Sequence, residues 1–578
     1  MRSRWLAGFA LSMWCTTTFA QVTTPNPILF VTQFPIPYDF AAIGSVFANH
    51  RGGTDLVGRG GDLYIRYGDG SLRNLTREAG YGEAGTMQGA NAIAVRDPHV
   101  HWSGTKAVFA MAIGAPTQQY QWVTSYFQLY EVSGFGVGQT VQISKVANQP
   151  NDTNNVMPAY ASDGQIIFVS DRSRNGERHL YPQHDEYEST PTPTGLWKLD
   201  PASGQLQLLQ HSPSGSFDPL VDSFGRVLFT RWDHLQRDQQ NESPSNTYGT
   251  FNWTSEAANA TATADRSEVF PEPRILVPGS GVEGFTINHF FPWQVHQDGT
   301  GEETLNHLGR HELHGYFNRS FNTDANLIEF ISSVSGRTNP RDAFNFLQLS
   351  EDPNVPGRYY AVDAPEFNTQ NAGQIIRLDA APSVNPADVV VDYITHPDTE
   401  GTTPSANHSG HYRNPVMLAN GVLIAAHAAA QGGAGNNGTR ANPDAIYKFR
   451  LQRLGAAGNG YQAANGLLTN GLSRSVQYWD PDVLVSYNGP FWELSPVEVV
   501  ARPAPSAAVP AMAAAEATAF TQTQVVESSF RQYLRTNALG VLVMRDVTAR
   551  DVLDKQQPFN LRVPGGRQTP ANPVGTVY

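Results

Sequence analysis

Three histidines and a glutamate fall within eight residues of the stretch HLGRHELHGYFNRS, which begins at His307. A metalloprotease HExxH motif places two histidines one helical turn apart, with the glutamate beside them as general base. Here His311 and His314 are three residues apart, and on a strand their side chains would point to opposite faces. The spacing excludes the metalloprotease motif and leaves two readings, a loop-borne metal site or ordinary polar loop chemistry.

A metal site would need histidines from several parts of the chain. Other histidines precede or flank short apolar runs, and the candidate ligands are His99, His101, His311, His314 and His411. If those runs are the innermost strands of a ring-shaped fold, the five side chains would gather at one mouth of its channel. Neutral imidazoles there, with Glu312 or Asp97, would bind a divalent transition metal such as zinc, copper or iron. The alternative is that each histidine hydrogen-bonds within its own loop.

A second candidate surface combines charged and aromatic side chains. The stretch RWDHLQRDQQ (231–240) follows an apolar run, and its candidate ligand- or partner-binding residues are Arg231, Asp233, His234 and Arg237. The aromatic stretches HFFPW (289–293), which ends at Trp293, and GPFWEL (489–494) would add a recognition patch. The alternatives are a solvated, mutually paired loop for the charges and internal packing for the aromatic rings.

Other catalytic classes find no support in the residues. The chain has no GxSxG nucleophile elbow, and its GDGS and QDGTGEE stretches lack the ligand spacing of a calcium loop. Its net charge of −13 argues against nucleic acid or an anionic membrane surface as partner. The only cysteine is Cys15, so CxxCH haem attachment is excluded.

The first residues, MRSRWLAGFALSMWCTTTFAQ, have the three parts of a secretory signal peptide. Arg2 and Arg4 form the basic part, an apolar run follows, and small residues precede Gln21. The sequence therefore predicts a signal peptide over residues 1–20 and a periplasmic or secreted protein. Cys15 would leave with that peptide, so the exported chain would have no disulfide.

A repeat predicts the elements that position these side chains. Four segments carry a proline followed six residues later by glycine and then an apolar run, and they begin at Asp97, Met157, Asp218 and Asn414. A degenerate fifth copy starts at Asn318. Each reads as a strand, a tight turn and a buried strand, and a second alternating hairpin lies between successive copies. Two hairpins per repeat make one propeller blade.

The sequence thus predicts an all-β fold, a six-bladed β-propeller over residues 21–502, with seven blades as the alternative. The predicted blades are 94–145, 156–211, 216–306, 316–397 and 411–455. The last blade would join VLVSY and VEVVA near the C-terminus to ILFVTQ near the N-terminus, which closes the ring. The long insertions 234–290 and 427–444 are predicted as surface loops on a propeller face.

The residues after the propeller change in composition. PAPSAAVPAMAAAEATA opens a predicted Pro/Ala-rich linker over residues 503–525. A short mixed extension follows over residues 526–578, with SSFRQYLRTNA as a helix and GVLVMRDV as a strand. A segment of that length buries little by itself, so we expect it to dock on the propeller.

Two resemblances rest on particular stretches. LYIRYGDGSLRNLT and PAYASDGQIIFVSDR resemble the repeats of TolB-like propellers. GRVLFTRWDHLQRD, WQVHQDGTGEE, YRNPV and the tail LVMRDVTARDVLDKQQPFNLRVPGG are similar to the hydrazine synthase alpha subunit family, in which a propeller precedes a domain with c-type haem. The tail matches only the start of that domain. Because CxxCH is missing, the resemblance implies the propeller but not the haem chemistry.

The residues and the resemblance favour an exported, non-catalytic propeller. We expect it to bind a protein partner or small ligand at one face or at the channel mouth, and a separate cytochrome or redox subunit is one expected partner. The alternative is a metal-dependent enzyme or redox protein that uses the channel histidines.

Overall fold

The fold was analysed in a computed structural model. It describes residues 22–37, 51–172, 195–211, 215–234, 288–305, 327–329, 343, 345–365, 368–384, 386, 389–458, 460–508, 512, 514–541, 559–569 and 572–576.

Six four-stranded antiparallel sheets form a ring of blades, which confirms the predicted six-bladed propeller. From the innermost strand outward, blade 1 consists of Ile93–Val100, Lys106–Ile113, Gln128–Ser133 and Gln142–Lys145. Blade 2 consists of Asn155–Tyr160, Ile166–Ser170, Gly195–Leu199 and Leu206–His211. Blade 3 consists of Gly215–Val221, Arg226–His234, Asn288–His296 and Glu303–Thr304.

The remaining blades complete the ring. Blade 4 consists of Leu347–Glu351, Arg358–Asp363, Gln374–Asp379 and Val391–Tyr393. Blade 5 consists of His411–Met417, Leu423–Ala428, Arg450–Ala456 and Gln462–Leu467. Blade 6 consists of Trp492–Glu498, Ile28–Gln33, Leu63–Arg66 and Leu72–Asn74.

Both ends of the propeller sequence meet in blade 6. Its innermost strand comes from the C-terminal side and pairs with Ile28–Gln33 from the N-terminal side. All six residues of Ile28–Gln33 are buried, because blades 1 and 5 pack on its two sides. The predicted closure is confirmed, and it leaves no unpaired inner edge at the point where the ring begins and ends.

The predicted fifth copy of the repeat was wrong. The innermost strand of blade 4 is Leu347–Glu351, about thirty residues after Asn318. Leu349 stands where the other copies have proline, and a longer turn follows it as far as Gly357, so the Pro–Gly spacing is lost. The region around Asn318 lies outside the described residues, and Leu327–Glu329 pairs with Phe559–Thr569 rather than with any blade.

VLVSY was also misassigned. It belongs to a separate two-stranded hairpin formed by Ser473–Asp480 and Val483–Pro490, inserted between blades 5 and 6. Tyr478, Val485 and Tyr487 of this hairpin bury apolar surface against Phe34 and Phe491. Its alternating pattern is that of any half-buried strand, so the pattern alone did not separate it from a blade strand. Of VEVVA, only Val497 and Glu498 belong to the innermost strand.

Short helices lie outside the blades. Leu75–Glu78 follows blade 6, and a 3₁₀ turn, Pro397–Thr399, precedes blade 5. Ala514–Thr523 is helical, although the sequence predicted a linker there, and Glu527–Thr536 confirms the predicted C-terminal helix. Neither C-terminal helix has a buried residue. Most of GVLVMRDV lies outside the described residues, and a two-stranded pair, Phe559–Thr569 with Asn572–Thr576, follows it.

The ring has two unlike faces. At one face, here called the turn face, turns join the first strand to the second in blades 1 to 5. At the other, here called the insertion face, the chain enters each innermost strand. The described parts of the long connections lie there, at residues 34–37, 51–62, 114–127, 364–365, 368–373, 394–410 and 429–449. In the described part of the chain no helix is long and apolar enough to cross a membrane.

Candidate binding site in the propeller channel

Each innermost strand bulges at one residue that adopts a left-handed backbone. The six bulge residues have φ between 49° and 57°, and they are Asp97, Met157, Asp218, Gln348, Asn414 and Ser495. In all six blades the pairing register shifts at this point. Proline follows in every blade but blade 4. A bulge re-aims side chains, and non-glycine residues with positive φ cluster at functional sites.

The bulge residues form a ring of hydrogen bonds around the channel, here called the bulge ring. The amide of Met157 donates to Asp97 Oδ2 at 3.2 Å, and that of Asp218 donates to Met157 Sδ at 3.2 Å. The Gln348 amide donates to the Asp218 carboxylate. The ring continues from the Asn414 amide to Gln348 Oε1 at 2.7 Å and from the Ser495 amide to Asn414 Oδ1 at 3.2 Å. Five of the six side chains, from Asp97 round to Asn414, thus accept from the amide of the bulge residue in the next blade.

Charge is concentrated in the bulge ring. Arg96 forms an ion pair with Asp97 and is only 5% exposed, yet its Nη1 has no hydrogen-bond partner among the residues that the structure describes. The pKa of Asp218 is raised to about 7, by burial first and by the charge of Asp97 second, against the opposing effects of Arg96 and Arg413. A carboxyl group that titrates near neutral pH therefore faces the channel, and such groups are common at binding and catalytic sites.

A chamber of about 670 Å³ lies between the bulge ring and the turn face. That volume is in the range of small-molecule sites. Much of its wall is apolar, and five prolines that follow bulge residues contribute to it: Pro98, Pro158, Pro219, Pro415 and Pro496. Trp102 supplies an aromatic surface, and its Nε1 donates to the carbonyl of Ala161 at 3.0 Å.

A segment of the predicted linker crosses the mouth of this chamber. Residues 499–508, here called the strap, leave blade 6, and the chamber lining includes residues 500–505. The Arg502 amide donates to the carbonyl of Trp102 in blade 1 at 2.8 Å. The strap then reaches the turn of blade 3, where a Cβ on Gly225 would lie 1.9 Å from the carbonyl oxygen of Ser506. Because blade 3 lies opposite blade 6 in a six-bladed ring, the strap spans the opening.

Two of the predicted metal ligands, His99 and His101, line the chamber, and both contact other residues of blades 1 and 2. His101 Nδ1 lies 2.9 Å from Ser103 Oγ in its own turn, and His101 packs edge-on against Tyr160 with ring centroids 4.8 Å apart. His99 Nδ1 is 3.5 Å from the Tyr160 amide. Burial lowers the pKa of His99 to about 4, so its imidazole is neutral at neutral pH.

The third described histidine, His411, lies at the opposite end of the channel. It begins the innermost strand of blade 5, whereas His99 and His101 lie at the end of that of blade 1. The expectation that these histidines meet at one mouth was wrong, because the innermost strands all run in the same direction. The predicted ligands His311 and His314 lie outside the described residues. Within the described ranges, no three His, Cys, Asp or Glu side chains group closely enough to hold a metal ion.

His411 belongs to a buried histidine cluster on the insertion face. Its Nδ1 is 2.8 Å from the carbonyl of Ala430 and its Nε2 is 3.0 Å from that of Gly401. His408 stacks edge-on against it at 4.7 Å. Burial lowers the pKa of His411 to about 4. A neutral imidazole donates through only one nitrogen, so one of the two carbonyls faces a lone pair.

Buried polar contacts also hold the loops of the insertion face in place. Arg59 is fully buried and donates to the carbonyls of Gly114, Val57 and Gly52. Burial lowers its pKa to about 10. Residues 369–371 are buried as well, and the carbonyl of Asn371 accepts from the Gln348 side chain of the bulge ring at 3.1 Å. This face is thus tied together by its own side chains.

The predicted charged surface is engaged within blade 3. The guanidinium of Arg231 lies 4.2 Å from the centre of the Trp293 ring and pairs with Glu302 at 3.2 Å. Asp233 and His234 end the second strand of the blade, and Arg237 lies outside the described residues. In HFFPW, Phe290 and Phe291 are buried, and in GPFWEL Phe491 and Trp492 are buried. These four rings pack inside the protein, as the packing alternative predicts, while Trp293 is half-buried.

The bulge ring is the feature that the sequence interpretation missed. Its signal was present, because four of the six bulge residues directly precede the proline of the repeat. Asp and Asn tolerate left-handed backbone better than most residues, which fits three of those four positions. The repeat was interpreted as a turn pattern, and the residue before the proline was not considered as a group that lines the channel.

The known proteins similar to this chain are distant ones. No family model matches the chain, and no curated protein sequence matches it. The solved structures similar to it include Kuenenia stuttgartiensis hydrazine synthase, at 13% identity and a TM-score of 0.45, over 84% of this chain and 48% of that one. TolB from Acinetobacter baumannii matches at 9% identity and a TM-score of 0.34, over 82% and 66%. This chain spans about half the length of the hydrazine synthase chain.

Proposed function

We propose that this protein is an exported, non-catalytic propeller that binds a small ligand in the channel chamber between the bulge ring and the strap. The observation that carries the proposal is the chamber itself, about 670 Å³ in volume, with a polar floor and largely apolar walls. Binding sites typically combine such walls with a few polar groups that orient the ligand.

The chamber supports small-molecule binding better than binding of a folded partner. The strap crosses its mouth, so a ligand must be small enough to pass beside that segment. Proline-rich walls change little on binding, because proline has a fixed φ and no amide hydrogen to satisfy. A protein partner, such as a separate redox subunit, would have to bind at one of the outer faces.

Binding of three matched aromatic compounds tests this site. We expect benzylamine, benzyl alcohol or benzoate to bind one to one, with a dissociation constant at or below about 1 mM, which corresponds to about −4 kcal/mol. Isothermal titration calorimetry measures the affinity. Val416→Trp fills the chamber and should abolish binding, whereas Val137→Trp, at a position 82% exposed, should leave it unchanged. If none of the three compounds binds, or if Val416→Trp binds like the unaltered protein, the chamber is not the site.

Export is the second part of the proposal, and it rests on residues 1–20. Expression of the full chain in a Gram-negative host, followed by fractionation and intact mass measurement, tests it. We expect a product that begins at Gln21 in the periplasm or medium. A product that retains residues 1–20 and stays in the cytoplasm would contradict export.

A further inference from the structure

We infer that the chamber takes a small organic cation, with its positive group at Asp218 and its apolar body against the proline-lined wall. The inference rests on the proposed binding function and adds the chemical class of the ligand.

The charges that line the chamber are mostly negative. Its carboxyl groups belong to Asp97, Asp218, Glu351, Asp352 and Glu498. One guanidinium, that of Arg502, lines the chamber as well, and it lies 3.5 Å from the carboxylate of Glu498. A cavity with walls of low dielectric and an excess of one sign of charge concentrates ligands of the opposite sign.

Of the two aspartates of the floor, Asp97 already pairs with Arg96, so the Asp218 carboxylate is the one best placed for a ligand. On the wall, Glu351 accepts hydrogen bonds from the amide and hydroxyl of Ser223 and from the amide of Gly357. Glu498 accepts from Asn26 and from the Ala419 amide. Each floor carboxylate belongs to the bulge ring, whose hydrogen bonds fix its position before a ligand arrives, and preorganisation of this kind reduces the entropic cost of binding.

The walls favour an organic cation over a metal ion. Proline, valine and leucine side chains offer no ligand atoms to a metal, whereas they pack against a hydrocarbon body. The indole of Trp102 adds an aromatic surface, and tryptophan is the best partner for a cation–π contact. An ammonium or quaternary ammonium group on an apolar body matches both parts of the chamber.

Binding of a cation should be linked to the protonation of Asp218. The charged groups that act on this carboxyl are Asp97 and Arg96 of blade 1 and Arg413 of blade 5. A cation at the floor stabilises the ionised carboxylate, so its binding releases a proton from the fraction of Asp218 that is protonated. We therefore expect affinity for a cation to rise between pH 6 and pH 8, and to rise less in Asp218→Asn.

The absence of cysteine from the predicted exported chain makes a direct test possible. Val416→Cys places a thiol in the chamber, and Val137→Cys places a matched thiol on the surface, both in a Cys15→Ser background. Three methanethiosulfonate reagents then measure access: methyl as the neutral one, 2-(trimethylammonium)ethyl as the cation and 2-sulfonatoethyl as the anion. Each rate at position 416 is divided by the rate of the same reagent at position 137, and circular dichroism verifies that both variants fold.

We expect the normalised rate of the cation to exceed that of the anion by about tenfold or more at pH 8, and the ratio to fall in Asp218→Asn. If the neutral reagent enters and the sign of charge makes no difference, or the anion reacts faster, the cation inference is wrong while the proposed binding function stands. If the neutral reagent labels position 416 no faster than the protein unfolds, reagents do not enter the folded chamber. The proposed binding function and the cation inference are then both wrong. We also expect benzyltrimethylammonium to slow the labelling of the thiol at position 416, and benzoate to leave that rate unchanged.

Discussion

The two faces of the propeller differ in what they bury. On the insertion face, long loops fill the space above the blades and tie themselves together through buried polar groups such as Arg59 and His411. On the turn face, short turns leave a chamber, and one strap crosses it through few contacts. The comparison indicates that buried polar side chains alone do not identify a binding site, because Arg59 and His411 are matched to backbone carbonyls of the insertion-face loops. The bulge ring instead holds carboxylates at the edge of an open volume.

The largest expected effect on stability is at Asp218, on the chamber side of this comparison. Its folded pKa of about 7 lies above its unfolded value of 3.8, so its contribution to stability is lost as pH rises from about 4 to 7. Asp218→Asn keeps the acceptor for the Gln348 amide and removes the charge. We expect this variant to be more stable than the unaltered protein by about 2–4 kcal/mol at pH 8 and equal to it at pH 3.5. Urea unfolding across that pH range measures the difference, and equal stability at pH 8 would contradict a buried, titrating carboxyl.

His411, on the insertion face, should show the opposite pH dependence. Its folded pKa of about 4 lies below the unfolded value of 6.5, so its contribution to stability is lost as pH falls from about 6.5 to 4. His411→Gln keeps one N–H donor but does not titrate. We expect the variant to be less stable at pH 7.5, and the gap to shrink by about 2–3 kcal/mol towards pH 4. His396→Gln, in the same connection, is the control, and a gap that stays constant with pH would refute the assignment.

The strap can be tested by two glycines in equivalent turns. Gly225 and Gly164 both have positive φ, at 78° and 82°. Of these two, only Gly225 would bring a Cβ against the strap, because a Cβ on Gly164 would have nothing within 4 Å. Alanine at either position should destabilise the protein by about 1–2 kcal/mol, because its Cβ disfavours the left-handed backbone. We expect Gly225→Ala alone to displace the strap, seen as faster hydrogen exchange of the Arg502 amide. Equal exchange in Gly225→Ala and Gly164→Ala would mean that the strap does not rest on blade 3.

The smallest expected effect is at Trp122, which is 84% exposed on a loop of the insertion face. The loop is held by the Tyr120 amide, which donates to the carbonyl of Pro481 at 2.8 Å, and not by the indole. Trp122→Ala should therefore change the free energy of unfolding by less than about 0.5 kcal/mol. It should also leave benzylamine binding unchanged, as calorimetry would measure. A loss of that binding would move the site to the insertion face.

The sequence was sufficient to predict the propeller because four innermost strands carry the same Pro–Gly hairpin. It failed at the other two for distinct reasons. Leu349 replaces the proline in blade 4, and after Pro496 no second strand follows, so Arg502 of the strap stands where glycine is expected. The channel site was less predictable. Its hydrogen bonds join residues about sixty positions apart, such as Asp97 and Met157, and no local pattern encodes which side chain meets which amide.

The predicted linker shows the same limit. Its proline and alanine content indicated a segment without core-forming residues, and residues 499–508 form neither helix nor strand. The composition does not show where the turns of blades 1 and 3 lie, and these turns decide where the segment packs. Contacts of Arg502 with Trp102 and of Ser506 with Gly225 follow from the closed ring and not from the segment itself.

Hydrogen exchange with and without benzyltrimethylammonium tests the central claim most directly, because it reports on both faces in one measurement. At pH 8 and saturating compound, we predict slower exchange in the strap, residues 499–508, and in the bulge strands around Asp97 and Asp218. Exchange in residues 114–126 and 400–411 of the insertion face should stay the same. Protection confined to the insertion face, with the strap unaffected, would contradict the account.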